Sequence, residues 1–241
     1  MRAPTWWKDL QRLSQIDIRW LFIWSLIYIT FLFLDIIAPG FSGTALIKYI
    51  GIFLCISYAY QKFSNDYLLI FALLFTFIAD TILVWTPFVI PGVYVFCIAQ
   101  FLHFMRLTKM RIYDVAINAG ALSLIFAIGI AFGLEPIYAI ATVYAILLIS
   151  NVIMSVQNYR DRPKHFRTRC ACYGFIAFIC CDLCVALRFL SLTGAISDTA
   201  LPIVAYFVWV FYLPSQILIA NSSTFEPQKR RRKIAKNKRI R

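Results

Sequence analysis

Apolar residues fill eight stretches of the chain, and short polar or glycine- and proline-containing segments separate them. A helix that crosses a membrane needs about 20 mostly apolar residues. The pattern therefore predicts an all-α, polytopic membrane protein built as an eight-helix transmembrane bundle. The predicted spans are residues 20–37, 45–60, 67–86, 89–105, 113–132, 137–156, 173–190 and 201–220.

Composition supports the membrane assignment, since 61% of the 241 residues are hydrophobic and the mean hydropathy is +0.76. Soluble domains are typically about 45–50% apolar. We divide the chain into an N-terminal segment at 1–19, a transmembrane domain at 20–220 and a basic tail at 221–241. The first span is interpreted as a retained helix, because no cleavage site with suitable spacing follows it.

Charge is one-sided, with 24 Lys and Arg against 11 Asp and Glu. The basic residues collect in alternate connections and in both terminal segments, whereas only Lys48 and Arg188 lie near the other face. The positive-inside rule then places both termini in the cytoplasm, and we expect residence in the plasma membrane. The basic tail is expected to attract anionic lipid headgroups. Nucleic-acid binding is not expected.

Two acids, Asp80 and Asp182, lie deep inside predicted spans. A charge at the bilayer centre costs at least about 2.5–3.5 kcal/mol, so such acids indicate function. The alternative is that they only hold helices together by hydrogen bonds, which contribute about 0.6–2 kcal/mol each. Amide or hydroxyl side chains serve that purpose at lower cost, and we therefore favour a functional role.

Further polar side chains fall at comparable depth. Gln100 and His103 share one face of span four, and Gln216 follows Pro214 in span eight. For both glutamines, interhelical hydrogen bonding and a site role remain open alternatives. For His103 we favour a satisfied or interfacial histidine. Asp35, near the outer end of span one, is expected to be solvated.

The cysteines and the common catalytic motifs add little. Cys181 and Cys184 form a C-x-x-C pattern, but no second ligand cluster accompanies it, and cysteines in a membrane helix are usually small packing residues. The sequence has no G-x-S-x-G, H-E-x-x-H or phosphate-binding glycine loop. We therefore expect no metal and no cofactor.

Three local patterns resemble the YhhN-like lysoplasmalogenase family over about residues 45–222. They are Ala79-Asp80 leading to Trp85; Pro91-Gly92 followed by Ala99-Gln100 and His103; and Cys181-Asp182 with Tyr212-Leu-Pro-Ser-Gln216. The resemblance implies catalytic roles for Asp80 and Asp182. We further hypothesise that Gln100 and Gln216 position water or the ether oxygen, and we take His103 and Tyr212 as additional substrate-positioning candidates.

The chain departs from the family pattern in places. Many members have Gly where this chain has Ala79, Ser where it has Cys181, and His where it has Gln100. Glutamine cannot exchange a proton near neutral pH. If that histidine is essential, the protein has lost activity or has moved the task to His103.

The resemblance implies hydrolysis of the vinyl ether bond of a membrane lysophospholipid, which gives a fatty aldehyde and a glycerophospho-headgroup product. A pair of buried carboxyls suits this reaction, because one can donate a proton while the other stabilises the resulting cation. Two other classes remain open. The acids could relay protons in a small proton-coupled transporter, or the chain could be a catalytically silent lipid-binding protein.

Overall fold

A computed structural model describes residues 18–38, 42–192 and 201–223 and confirms the all-α, polytopic architecture. Over these residues the chain forms eight helices that are long and apolar enough to cross a membrane. In chain order they are α1 Ile18–Ile37, α2 Ser42–Phe63, α3 Tyr67–Trp85, α4 Val89–Thr108, α5 Ile112–Ala131, α6 Pro136–Asp161, α7 Phe166–Leu192 and α8 Leu201–Ala220. The predicted terminal segments, 1–19 and 221–241, lie mostly outside the described residues, which leave out 1–17 and 224–241.

Five helices are longer than their predicted spans, and the difference is largest for three of them. The helix α2 extends beyond 45–60 at both ends, α6 continues past residue 156 to Asp161, and α7 begins at Phe166 instead of 173. In each case the helix includes polar or charged residues on one or both sides of the apolar stretch. Hydropathy marks the part of a helix that lies in hydrocarbon and not the whole hydrogen-bonded element.

Six of the helices form a closed ring. Each helix of the ring contacts the next in the order α2, α3, α4, α6, α7 and α8. The ring closes because α8 contacts α2, and α8 also contacts α3. Helix α1 packs on the outside against α2 and α8, and α5 packs on α6. No residue in the most apolar stretch of α5 is buried within the protein. The interior of the six-helix ring is therefore the place where polar side chains can meet.

Short connections reverse the chain direction between successive helices, so α2, α4, α6 and α8 all end on one side of the bundle. We call this side the basic end, because nearly all described basic side chains lie on helix ends and connections there. They are Arg19, Lys62, Arg106, Lys109, Arg111, Arg160, Arg162, Lys164, Arg167 and Arg169. The other side is called the opposite end.

Two local contacts fix helix α8 to its neighbours: close packing at Gly174 of α7 and a hydrogen bond from Tyr28 of α1. A Cβ atom on Gly174 of α7 would lie 2.9 Å from Ile219 Cγ1 and 3.1 Å from the Ile219 backbone nitrogen, so close packing of α7 on α8 requires glycine there. Pro214 interrupts the α8 hydrogen-bond ladder because it lacks an N–H group. The Tyr28 hydroxyl of α1 donates instead to the Val210 carbonyl, at 2.9 Å.

Asp35 corrects one expectation from the sequence. Instead of being solvated, its carboxylate lies 2.6 Å from Lys48 Nζ, and the two side chains are only 16% and 9% exposed. The Lys48 ammonium also lies 4.7 Å from the centre of the Trp209 ring. Helices α2 and α8 close around the end of α1, so the carboxylate is compensated by a buried cation and not by water.

Candidate active site

Asp80 lies inside the ring on α3, about 20 Å along the helix from Tyr67 at ~1.5 Å per residue. It is only 8% exposed. The Tyr212 hydroxyl of α8 donates a hydrogen bond to its carboxylate. The Tyr49 hydroxyl of α2 donates to the Asp80 backbone carbonyl at 2.7 Å. Three helices therefore fix the position of this acid.

Asp182 has a matching arrangement on the other side of the ring interior. It is half-buried on α7, and its carboxylate accepts a hydrogen bond from the Tyr144 hydroxyl of α6. Because α7 begins at Phe166, Asp182 lies about 24 Å along the helix at ~1.5 Å per residue. The two acids are thus at similar depths measured from the basic end.

The two tyrosine–aspartate pairs belong to one cluster. An aromatic wall links the pairs: Phe178 lies 5.8 Å from Tyr212 between ring centroids, Phe96 lies 5.8 Å from Tyr144, and Phe96 and Phe178 are 6.3 Å apart. We call this cluster the carboxyl layer; its members are Asp80, Asp182, Tyr144, Tyr212, Phe96 and Phe178.

The predicted glutamines lie in a separate layer. Gln100 is fully buried on α4 and accepts a hydrogen bond at Oε1 from Asn151 Nδ2 of α6, at 2.8 Å. Asn151 Nδ2 also donates to the Gln100 backbone carbonyl at 2.9 Å. Gln216 is fully buried on α8, with its Nε2 3.5 Å from the neighbouring Ser215 hydroxyl. Neither glutamine has a hydrogen bond to Asp80 or Asp182 among those described.

His103 lies beside these amides, one turn beyond Gln100 on the same face of α4. It is fully buried, and its ring packs edge-on against Phe175 of α7, with 5.3 Å between centroids. We call Gln100, His103, Asn151 and Gln216 the amide layer. It lies one to two helical turns closer to the basic end than the carboxyl layer, because each of its helices also carries a carboxyl-layer residue towards the opposite end.

Several buried polar atoms of the amide layer have no hydrogen-bond partner among the described residues. They are Gln100 Nε2, Asn151 Oδ1, Gln216 Oε1 and both ring nitrogens of His103. A buried polar group without a partner costs about 1–3 kcal/mol. His103 was expected to be satisfied or interfacial, and among the described residues its buried ring nitrogens have no hydrogen-bond partner.

A third polar cluster closes the basic end. Arg106 of α4 donates from Nη1 to the Ser222 carbonyl at 2.9 Å and from Nη2 to the Ser222 hydroxyl at 3.0 Å. The Ser223 hydroxyl donates to Asp66 at 2.8 Å. Asp66 in turn accepts from the Leu69 backbone N–H and so caps the start of α3. The end of α8 is thereby attached to α3 and α4.

An apolar groove opens between α4, α5 and α6 towards the opposite end. Its volume is about 360 Å³, and its walls are Ile90, Pro91, Tyr94, Val95, Phe126 and Ile140. Ile140 lies one helical turn from Tyr144, so the groove leads towards the carboxyl layer. Among the described residues, no group of three or more His, Cys, Asp or Glu side chains could hold a metal ion.

The structure brings together three of the residues predicted from the sequence, Asp80, Asp182 and Tyr212, and places Gln100, His103 and Gln216 one layer away. The sequence interpretation missed Tyr49, Tyr144 and Asn151. Asn151 could have been found, since it is a carboxamide deep inside an apolar helix. The tyrosines carried no comparable pattern, because the chain has 13 of them.

These features define an all-helical, multi-pass membrane protein with two tyrosine-bonded carboxyls inside its bundle. The chain belongs to the YhhN family, whose profile matches residues 43–223. No curated protein and no solved structure matches it. The matched region begins in α2 and contains the carboxyl layer, the amide layer and the polar cluster at the basic end.

Proposed function

We propose that the protein is a membrane-embedded hydrolase that cleaves the vinyl ether bond of lysoplasmalogens. Membership of the YhhN family suggests a lysoplasmalogenase-like function. The observation that carries the proposal is the pairing of Asp80 and Asp182 inside the ring, each fixed by a tyrosine hydroxyl from another helix. Acid–base catalysis needs two such groups held in a fixed geometry around the reacting bond.

The first step is a proton transfer to carbon. The protonated carboxyl of the pair donates its proton to the β-carbon of the vinyl ether, which forms a C–H bond and leaves an oxocarbenium ion. The other aspartate, as a carboxylate, stabilises this cation. Glycosidases divide the work between two carboxyls in a similar way when they form a related cation.

Water completes the reaction. Its oxygen bonds to the cationic carbon, and one of its protons passes to a carboxylate, which restores the acid. The resulting hemiacetal then breaks its bond to the glycerol oxygen. The remaining hydroxyl proton moves through the carboxyl pair to that oxygen. The products are a fatty aldehyde and the glycerophospho-headgroup alcohol, and one water is consumed.

The tyrosines orient the carboxyls in this scheme. Tyr212 and Tyr144 each donate to one carboxylate oxygen, which leaves the second oxygen of each aspartate available to the substrate. Hydrogen bonds to a charged acceptor are worth about 1.5–3 kcal/mol. They hold the two reacting groups in place within a bundle interior that otherwise consists mostly of aromatic and aliphatic side chains.

The substrate is a single-chain lipid, and its hydrocarbon tail can occupy the apolar groove between α4, α5 and α6. The groove walls are entirely apolar apart from the Tyr94 hydroxyl, and the groove leads to the turn of α6 before Tyr144. Asp80 lies about 8 Å from the end of α3 at Trp85, at ~1.5 Å per residue. The headgroup can therefore remain near the membrane surface at the opposite end.

The same proposal includes an orientation. The basic end, with the described Lys and Arg side chains concentrated there, faces the cytoplasm of a cell whose plasma membrane contains the protein. The basic tail at 221–241 is proposed to associate with anionic lipid headgroups on that side.

Release of fatty aldehyde by the purified full-length chain in nanodiscs tests the function. A 1-alkenyl lysophospholipid should yield aldehyde and headgroup product in equal amounts. The saturated 1-alkyl ether and the 1-acyl ester should yield none, because neither forms the oxocarbenium ion by protonation of a C=C bond. Absence of aldehyde from the alkenyl lipid would contradict the proposal, and substrate flux into liposomes without product would indicate a transporter.

A further inference from the structure

We infer that the amide layer is a buried hydration site, formed by Gln100, His103, Asn151 and Gln216, that supplies water to the carboxyl layer. The supply role rests on the proposed hydrolysis, whereas the binding of water does not. Hydrolysis inside a membrane protein needs a source of water, and the carboxyl layer is bounded by Phe96 and Phe178. The amide layer is the nearest polar region on the side of the basic end.

The case begins with burial. Gln100, His103, Asn151 and Gln216 are each 0% exposed, yet together they present five polar atoms that have no partner among the described residues. Leaving so many buried groups unsatisfied would remove a large share of the stability of a typical domain. Ordered water is the usual partner of such groups in protein interiors.

The available groups also suit water. Gln100 Nε2 is a donor, Asn151 Oδ1 and Gln216 Oε1 are acceptors, and a neutral His103 contributes one donor and one acceptor. A water molecule offers two donors and two acceptors and typically makes about three hydrogen bonds in such a site. An anion would meet two acceptors, and a metal would meet a set of neutral amides with no carboxylate.

The helix faces connect the two layers. On α4, Gln100 follows Phe96 by one turn, and on α6, Asn151 follows Tyr144 by two turns. On α8, Gln216 follows Tyr212 by one turn. Each of the three helices therefore directs an amide and a carboxyl-layer residue from one face. Along these helices, the amide-layer residues lie about 6–10 Å from the carboxyl-layer residues, at ~1.5 Å per residue.

The layer also has a polar connection to the basic end. Arg106 lies one turn beyond His103 on the same helix, α4. Its Nε–H has no partner among the described groups, and its two terminal nitrogens bind Ser222 at the end of α8. These side chains form a buried polar cluster next to the amide layer on the side of the basic end.

Radiolytic hydroxyl-radical footprinting of the full-length protein in nanodiscs tests the site itself. Radicals formed from bound water oxidise adjacent side chains even when bulk solvent cannot reach them. We expect oxidation of His103 and Phe175, which flank the amides and are both 0% exposed. Cys55 should stay unmodified, although it is chemically more reactive, because it is equally buried among apolar residues. Unmodified His103 and Phe175 would overturn the hydration site.

Variants test the supply role. Asn151→Leu and Gln100→Met should reduce the oxidation of Phe175 and lower kcat about tenfold with little change in KM. Asn118→Leu is the matched control, since Asn118 lies on the peripheral helix α5 and its Nδ2 donates to the Asp114 carbonyl of the same helix, at 2.8 Å. Gln100→Met keeps a long unbranched side chain. It therefore still tests the supply role if the Asn151→Leu variant does not fold.

The outcomes separate the two proposals. Reduced footprinting with unchanged kcat in both variants would overturn the supply role. Oxidation of His103 and Phe175 in a wild-type protein that releases no aldehyde would uphold the hydration site and contradict the proposed hydrolysis. Reduced footprinting together with reduced kcat would support both.

Discussion

The carboxyl layer and the amide layer lie one to two helical turns apart in the same ring of helices. They differ in how many of their polar atoms have a hydrogen-bond partner in the protein. Asp80 and Asp182 each receive a hydrogen bond from a tyrosine of another helix. In the amide layer, Gln100 and Asn151 bond to each other, and five further polar atoms have no described protein partner.

The difference shows two uses of polarity in a membrane interior. A reacting group must be held in position, and a hydrogen bond from a rigid tyrosine does this for each carboxylate. A group that binds a small exchangeable ligand must instead keep some hydrogen-bonding capacity free. The layers are therefore expected to respond differently to substitution, and four predictions test this, ordered by their effect on turnover.

The largest effect is expected for Asp80→Asn and Asp182→Asn. An amide keeps the shape of the carboxyl but cannot donate or accept the catalytic proton, so turnover should fall by about 10²–10⁴-fold. Aldehyde release from an alkenyl lysophospholipid in nanodiscs provides the measurement. Asp161→Asn, at the exposed end of α6, is the matched control and should retain turnover. Wild-type turnover in either variant would refute the catalytic pair.

A smaller effect is expected for Tyr212→Phe and Tyr144→Phe. Each variant removes one hydrogen bond to a carboxyl of the pair, worth about 1.5–3 kcal/mol for the carboxylate and about 0.5–1.5 kcal/mol for the protonated acid, so kcat should fall roughly 2- to 100-fold. The comparison is steady-state kinetics against Tyr60→Phe, a residue that is 64% exposed. If both variants match that control, the tyrosines do not hold the carboxyls for catalysis.

In the amide layer, Gln216→Met removes one neutral hydrogen bond, which is worth about 0.5–1.5 kcal/mol. This loss should lower kcat only about 2- to 10-fold. The thermal unfolding temperature should hardly change, because no described protein partner of Gln216 Oε1 is lost. Gln157→Met, on the exposed surface of α6, is the control. A loss of turnover as large as that of Asp80→Asn would place Gln216 in the carboxyl layer instead.

The smallest effect on turnover is expected outside both layers, for Lys48→Met. The variant leaves the Asp35 carboxylate without its 2.6 Å cation partner, which should lower the unfolding free energy by about 3 kcal/mol. Turnover per folded molecule should stay within about twofold, because Lys48 makes no hydrogen bond to Asp80, Asp182 or their tyrosine partners among the described contacts. Unfolding in detergent measures the first quantity.

The double variant Asp35→Leu with Lys48→Met is the control for that prediction. It removes both charges together and should recover most of the lost stability. If the double variant is as unstable as Lys48→Met alone, the loss comes from packing against Trp209 and not from the unpaired carboxylate.

The fold was largely predictable from the sequence, because eight apolar stretches of sufficient length leave few alternatives in a bilayer. The exact ends of α2, α6 and α7 were not predictable. Their polar terminal turns belong to the helices, although hydropathy alone would place them outside. The pair formed by Asp35 and Lys48 was also missed. It joins two helices across a turn, and a pattern read along one helix cannot indicate such a partner.

The site was predictable in part for a similar reason. Asp80 and Asp182 are conspicuous in hydrocarbon, and the family pattern pointed to Tyr212. Tyr144 and Asn151 are ordinary residues in an apolar helix, and only the packing of α6 against α4 and α7 makes them partners of the acids and amides. The two-layer arrangement depends on the order of helices around the ring, which hydropathy does not contain.

The position of α8 has a consequence for biosynthesis. Tyr212, the partner of Asp80, is 132 residues further along the chain, so at about 5–20 residues per second a ribosome needs roughly 7–26 s to deliver it. Asp66 and Arg106 likewise wait for Ser223 and Ser222. A nascent chain that stops before its eighth helix would lack the hydrogen bonds that Tyr212, Ser222 and Ser223 make with Asp80, Arg106 and Asp66, so the polar interior is completed only when the last helix is made.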